Sequence, residues 1–333
     1  LPFTLTQAQL RSIHEILTDM GKPVPMNRLL EGDVGSGKTI VAAVAALACA
    51  QSNCQTAFMA PTEILAEQHY QFLKNYLEPH NVQIALQTSR KKDFSKIQTQ
   101  NQKTKHQTPI IELEQKPPSL IVGTHALISK LAEFDKLALV IIDEQHRFGV
   151  KQRAALIRKG HAPHVLSMTA TPIPRTIALT MYGDLELSLL DELPPGRQTI
   201  KTWLVPNHKR PAAYEWIKNQ IKLKDSQSNE HQTQQAFIVC PFIEPSESMG
   251  TVKAAKEEYE HLQKIFTNLK LGLLHGKLKG QEKDQIIEDF RNKKMDILVS
   301  TPVVEVGVDI PNATIMVIEA AERFGLAQLH QLR

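Results

Sequence analysis

The sequence predicts an α/β protein of two tandem lobes, each a mainly parallel sheet flanked by helices. Three observations carry this. Short apolar runs alternate with helical patterns, the mark of βαβ units. The runs come in two successive series, and a stretch rich in proline and glycine divides them. The first series is Arg28–Leu30, Thr56–Met59, Ser119–Val122, Leu137–Ile142 and His164–Ser167. The second is Thr199–Val205, Ala236–Cys240, Leu271–Leu274, Asp296–Val299 and Thr314–Ile318. Helical patterns such as Ile40–Gln51, Ile64–Tyr76 and Lys283–Phe290 lie between the runs. In Leu190–Gln198 (LDELPPGRQ), Pro194, Pro195 and Gly196 suit neither helix nor strand. The expected layout is a first lobe over 1–190, a linker over 191–198 and a second lobe over 199–333.

Composition allows two buried cores and narrows the class. The chain has 333 residues, 42% of them hydrophobic, which is enough for about two domains of ordinary size. A net charge of +4 permits binding to a phosphate backbone without demonstrating it. Cys49, Cys54 and Cys240 match no zinc spacing and cannot form a paired disulfide framework. They read as small buried hydrophobes in a reducing compartment, the cytoplasm. No apolar run reaches the roughly 18 residues of a membrane span. The nearest, IVAAVAALACA at 40–50, reads as a buried helix. Leu1 and Arg333 read as cuts in a longer chain. Residues 90–118 read as a flexible insertion: within 90–108 six Lys or Arg face one Asp, with no sustained apolar period. A solvated surface segment is favoured there over a basic loop on DNA.

Residues 32–39 read GDVGSGKT, a complete G-x-x-x-x-G-K-[ST] pattern between an apolar strand and a helix. The chemistry needs these residue types. Gly32, Gly35 and Gly37 let backbone N–H groups turn inward around phosphate oxygens, with Asp33, Val34 and Ser36 completing the loop. The following helix N-terminus adds partial positive charge. Lys38 can reach β- and γ-phosphates, and the Thr39 hydroxyl can ligate Mg²⁺. About a hundred residues on, the run Leu137–Ile142 ends in Asp143 and Glu144. Two carboxylates at a strand's carboxyl end stand where α/β folds bind ligands. Asp143 would hold magnesium, and Glu144 would orient and deprotonate an attacking water. Lys38, Asp143 and Glu144 are therefore the candidate catalytic residues.

The run continues as DEQHRFGV (143–150), and TATPIPRT follows at 169–176. Together with GDVGSGKT these resemble superfamily 2 helicases, and most of all the RecG family of DNA branch-migration helicases. The resemblance spreads over almost the whole chain. LPFTLTQAQ (1–9) looks like the adenine-recognition element, implying that Gln9 hydrogen-bonds the adenine edge and Phe3 stacks on its ring. APTEILAEQH (60–69) and GTHAL (123–127) match first-lobe DNA-facing motifs. LHGKL (274–278) and VSTPVVEVGVDIPNA (299–313) match second-lobe motifs, and AERFGLAQLHQLR (321–333) the start of the last motif. A similar translocase core occurs in transcription-repair coupling factors, whose second motif usually resembles DEEQRFG rather than DEQHRFGV. The Gln- and Lys-rich stretch before Ser119 departs from the family, where the connection is shorter.

The resemblance implies two RecA-like (P-loop NTPase) lobes with ATP between them and Mg²⁺ as cofactor. It also implies double-stranded DNA translocation at forks and Holliday junctions by a cytoplasmic monomer, with no membrane role. Pro61, Thr62, Gly123, Thr124, His125, His275, Gly276 and Thr301 would touch the DNA backbone, contacts that position a strand and carry no base information. Glycine turns at strand ends are equally what any α/β fold needs. His146 would couple hydrolysis to DNA, or be structural. Thr169 and Thr171 would bridge the carboxylates to the other lobe, or simply cap a turn. Asp309 would reach the ribose. Trp203 and Trp216 are assigned to packing. Two rivals differ in class: a nucleotide-gated DNA-binding module, and a small-molecule P-loop kinase.

Overall fold

The computed structural model describes residues 3–88, 117–129, 132–171, 185–194, 200–222, 234–241, 248–301, 310 and 312–332. The expected insertion at 90–118 falls largely outside them, as does Asp309. The chain divides into two compact units, Leu1–Gln198 and Thr199–Arg333.

The first unit is built on strands β1 (Asn27–Gly32), β2 (Gln55–Met59), β3 (Ile84–Gln87), β4 (Leu120–Gly123), β5 (Leu137–Ile142), β6 (His164–Thr169) and β7 (Glu186–Leu190). They form one sheet in the order β3-β4-β2-β5-β6-β1-β7, with every pairing parallel. Parallel sheets need helices on their faces, so central strands become continuous apolar runs. The run LALVII of β5 and the wholly buried β2 fit that demand. Helices α1 (Gln7–Met20), α2 (Lys38–Gln51), α3 (Glu63–Leu77) and α4 (Val150–Ile157) belong to this unit. A capping box, with Thr6 Oγ1 accepting from the Gln9 N–H and Gln9 Oε1 from the Thr6 N–H, starts α1. The Ala-rich α2 buries Ile40, Val41, Ala42, Ala43, Ala45, Ala46 and Cys49, as expected of a helix that is apolar nearly all round.

The second unit has strands β8 (Gln235–Val239), β9 (Leu271–Leu274), β10 (Ile297–Ser300) and β11 (Ala313–Ile318), all parallel in the order β11-β8-β10-β9. Helices α5 (Arg210–Lys222), α6 (Ser248–Ile265), α7 (Gly280–Arg291) and α8 (Leu326–Leu332) accompany them. Its core gathers Tyr214, Ile217, Ile238, Leu262, Phe266 and Val299. Among the described residues, no helix is long and apolar enough to cross a membrane.

Three features depart from the sequence expectation. The expected strand at Thr199–Val205 does not form over its described part, residues 200–205. Its apolar side chains find no sheet to bury against: Trp203 is 77% and Leu204 95% exposed. Trp216 is likewise exposed rather than packed. Two strands lie outside the expectation. β3 is too short to show a period, and β7 is a half-exposed edge that runs directly into the proline-rich stretch. Beyond β7, Asp191 and Glu192, in the stretch expected as linker, are tied to α1. Asp191 accepts from Arg11, and a Glu192 carboxylate oxygen accepts from the Ala8 N–H.

Phe266 is 1% exposed and meets Tyr214 edge-on with ring centroids 5.6 Å apart. Phe266→Ala is expected to destabilise the second unit by about 3–5 kcal/mol. Both tryptophans of the chain lie in that unit. Their fluorescence in a urea titration therefore reports on it selectively, and an unchanged midpoint would contradict the packing described.

Candidate active site

Parallel strands bring their carboxyl ends to one rim, and the candidate residues of the first unit fall there. β1 ends at Gly32, and α2 starts six residues later at Lys38. Gly35 and Gly37 have φ of 74° and 90°, in the left-handed region that other residues adopt only with strain. A Cβ on Gly32 would stand 2.6 Å from Ser36 Oγ and 2.7 Å from Leu190 Cβ. Gln9 reaches into this loop: its Nε2 donates to the Ser36 carbonyl at 2.7 Å. With Oε1 held by Thr6, the Gln9 amide ties the start of α1 to the phosphate loop. Phe3 is 43% exposed, edge-on to Tyr76.

Lys38 Nζ donates to the carbonyls of Gly32 (2.7 Å) and Asp33 (3.1 Å), and Thr39 lies in the first turn of α2. No side chain caps that helix, and the buried Ser36 Oγ has no hydrogen-bond partner. A helix N-terminus with such donors is suited to an anion.

Asp143 follows β5 directly and is buried. Its Oδ2 accepts from His69 Nε2 at 2.7 Å and its Oδ1 from the Glu144 N–H at 3.0 Å. Burial works against its charge, yet His69, Lys38 and the Glu144 N–H together hold its carboxyl below the usual range. Glu144 behaves oppositely: burial and then the Asp143 charge push its carboxyl up, with Lys38 pulling the other way. Its backbone is left-handed, φ 46° and ψ 58°. A non-glycine residue held there costs about 1–3 kcal/mol and is maintained by its surroundings.

The other expected residues divide. The Thr169 hydroxyl accepts from the Thr171 N–H at 3.1 Å, so it closes a local turn. From this segment the Ala170 N–H approaches Glu144, 3.5 Å from Oε2. His146 Nδ1 lies 3.4 Å from Glu144 Oε2. Burial and Arg147 lower the His146 pKa, so at neutral pH the contact is not an ion pair. Thr62 N-caps α3, its hydroxyl accepting from the Leu65 N–H, with Pro61 just before it; such a hydroxyl can still donate. Gly123 is required by packing, since any Cβ would collide with the Gln87 carbonyl. Thr124 is buried, whereas His125 is exposed with its ring 5.3 Å from that of Phe148. In the second unit His275 and Gly276 follow β9 and Thr301 follows β10. Ser300 Oγ and Thr301 Oγ1 are buried and have no hydrogen-bond partner among the described residues.

Sequence reasoning did not single out His69, Ala170 or Phe148. His69 had a signal: it sits in the apolar spacing Leu65, His69, Leu73 on the buried face of α3.

These donors fit a magnesium-bound nucleoside triphosphate. Lys38 and the start of α2 suit phosphate oxygens, and Thr39 with the ionised Asp143 suits a hard cation. Among the described residues no three His, Cys, Asp or Glu cluster as metal ligands. Such a cation would therefore take its other ligands from phosphate and water, as Mg²⁺ does. Because the Asp143 charge helps raise the Glu144 pKa, Asp143→Asn is expected to lower it. Carboxyl ¹³C titration of the two proteins checks this, and an unmoved or rising Glu144 pKa would contradict it.

The DEAD/DEAH box helicase model matches residues 6–180, and the helicase conserved C-terminal domain model matches residues 213–333. The ATP-dependent DNA helicase RecG of Synechocystis sp. is 54% identical over 334 residues, covering 100% of this chain and 38% of that protein. The Bacillus subtilis RecG is 48% identical, covering 100% of this chain and 46% of that protein. A solved structure of RecG bound to a three-way DNA junction superposes with a TM-score of 0.78 at 44% identity, covering 100% of this chain and 41% of that one. The chain thus spans less than half the length of these relatives and is similar to their helicase core, so both sheets are of the RecA-like kind. By its matched residues, its parallel sheets and its phosphate loop facing paired carboxylates, the chain belongs to the DEAD/DEAH box helicase family.

Proposed function

We propose that this chain is the ATP-driven motor core of a double-stranded DNA translocase, working in branch migration and fork regression as a cytoplasmic monomer. The observation that carries the hydrolytic part is the pair of adjacent carboxyls with opposite shifts beside one lysine. Asp143 stays ionised, as a cation ligand must. Glu144 is more basic, as a group that takes a proton from water must be. Lys38 and the N–H groups of the phosphate loop would bind the triphosphate, with Phe3 and Gln9 on its adenine side and Asp309 on its ribose. Mg²⁺, held by Thr39 and Asp143, would neutralise charge on the phosphates.

Relatives supply the substrate part. The similar solved structure holds a three-way DNA junction, which supports branched DNA as the ligand here, with forks and Holliday junctions as its forms. Pro61, Thr62, Gly123, Thr124 and His125 of the first unit, and His275, Gly276 and Thr301 of the second, are the proposed backbone contacts. The buried unpartnered Thr301 hydroxyl supports this, because such groups in native proteins ordinarily find a partner. His146, Thr169 and Thr171 would couple these contacts to hydrolysis.

Lys38→Ala is expected to abolish nucleotide binding and reduce DNA-stimulated turnover at least about a hundredfold. Glu144→Gln should keep nucleotide binding and lose about 10²–10⁴ in turnover, since an amide cannot accept the proton. Steady-state hydrolysis with and without forked DNA, beside direct nucleotide titration, separates the two. Equal loss of binding in both variants would overturn the division of roles. DNA affinity should fall linearly in log–log form as salt rises, and should not distinguish duplexes of shuffled sequence and equal shape. Fluorescence anisotropy measures both, and a strong preference for one sequence would count against a motor.

A further inference from the structure

We infer that His69 is a positioning residue that fixes the Asp143 carboxylate for its cation and ties that carboxylate to the helix beginning at Thr62. The inference rests on the nucleotide-site reading above. Asp143 has two oxygens and a rotatable carboxyl plane. The Glu144 N–H holds Oδ1 at 3.0 Å and His69 Nε2 holds Oδ2 at 2.7 Å. With one donor on each oxygen, both rotation and tilt are set. The remaining lone pairs are then aimed before any cation arrives.

His69 is itself held from behind. It is 9% exposed, and its ring lies 4.7 Å from that of Phe58 at 44°. Phe58 belongs to β2, which pairs directly with β5, and the Asp143 N–H donates to the Met59 carbonyl at 2.9 Å. Ring, carboxylate and both strands therefore form one packed unit. Groups behind a metal ligand commonly change metal affinity by 10–100-fold when removed.

Placement on α3 adds a second consequence. Thr62 caps the first turn of this helix, and His69 stands seven residues on, roughly 10.5 Å along the axis. A helix of this length moves as a rod. A strand contact at Pro61 and Thr62 that shifts α3 must therefore shift the donor on Asp143 as well.

The test uses the 333-residue chain, a fluorescent ADP and a Mg²⁺ titration, so that binding rather than turnover is read. His69→Leu removes the donor at similar volume. It is expected to raise the Mg²⁺ concentration for half-maximal nucleotide binding about tenfold or more, leaving affinity in EDTA unchanged. His69→Gln, whose amide nitrogen can replace Nε2, should restore most of the loss, and His69→Asn, whose amide falls short, should not. Equal Mg²⁺ dependence of wild type and His69→Leu would overturn the inference. If His69→Leu does not fold, the Gln and Asn variants decide, and identical behaviour of those two would overturn it. Lys38→Ala is run beside them. If it still binds the nucleotide, the phosphate-loop reading has failed. If it does not bind and His69→Leu behaves as wild type, the positioning role alone has failed.

Discussion

Parallel pairing of seven strands is the constraint from which the first unit's chemistry follows. In such a sheet every strand enters from one side and leaves on the other, so all departing loops share a rim. The phosphate loop leaves β1, Pro61 and Thr62 leave β2, Thr124 and His125 leave β4, Asp143 and Glu144 leave β5, and Thr169 to Thr171 end β6. These segments are far apart in sequence and have no local reason to meet. Pairing β5 between β2 and β6 places the two carboxylates among the others. Burial of the strands on both faces keeps that rim rigid.

At the rim, one pair of adjacent residues is driven two ways. Asp143 has more partners than burial can offset and stays charged. Glu144, buried and next to that charge, becomes the more basic group. The backbone at Glu144 makes a left-handed turn, φ 46° and ψ 58°. The second unit contains the same turn. After β11 come Glu319, Ala320 with φ 47° and ψ 52°, a 3₁₀ turn over Ala321–Arg323, then Phe324 and Gly325. Gly149 and Gly325 each donate their N–H to a glutamine three residues on, Gln152 at 3.0 Å and Gln328 at 3.1 Å. The backbone solution is thus shared, but the chemistry is not. Alanine stands where the base would be, and Glu319 accepts from Arg210 at 2.5 Å and Tyr214 at 2.6 Å. A carboxylate held this way anchors its strand end.

Much of this was legible in the residues. GDVGSGKT and the Asp-Glu pair announce themselves because their chemistry is local: consecutive residues, one turn, one strand end. The contacts that the sequence does not reveal have a common cause. The amide of Gln9 binds Ser36 across 27 positions and His69 binds Asp143 across 74, and neither partner is visible from its own neighbourhood. His69 in particular sits in a helical apolar spacing and reads as core. Only the adjacency of β2 and β5 turns it toward the site. At Thr169 the local half of a two-sided reading is visible: its hydroxyl accepts from the Thr171 N–H two residues on, and remains able to donate. The strand expected at Thr199–Val205 fails differently. Its apolar pattern is real, but residues 200–205 join no strand and Trp203 and Leu204 stay exposed, so the burial that favours a strand is missing.

Two contacts lead from the carboxylates toward the proposed DNA-facing loops, and they differ in kind. One runs through His69 and α3 as a hydrogen bond to the carboxylate itself. The other runs from Glu144 through the 3₁₀ turn Gln145–Arg147 to Phe148, whose ring meets that of His125. The first is short and directional, so on the inference above a displacement of α3 would reorient Asp143. The second is a contact between rings, centroids 5.3 Å apart, and is less directional than a hydrogen bond. Phe148 is 4% exposed while His125 is exposed, so the contact joins a fixed element to one open to a ligand. A carboxylate that aims at a cation, the role proposed for Asp143, would need the first kind of link. A turn that must only remain in its left-handed conformation is served by the second. On the proposed roles, each carboxyl would have the kind of support that its task requires.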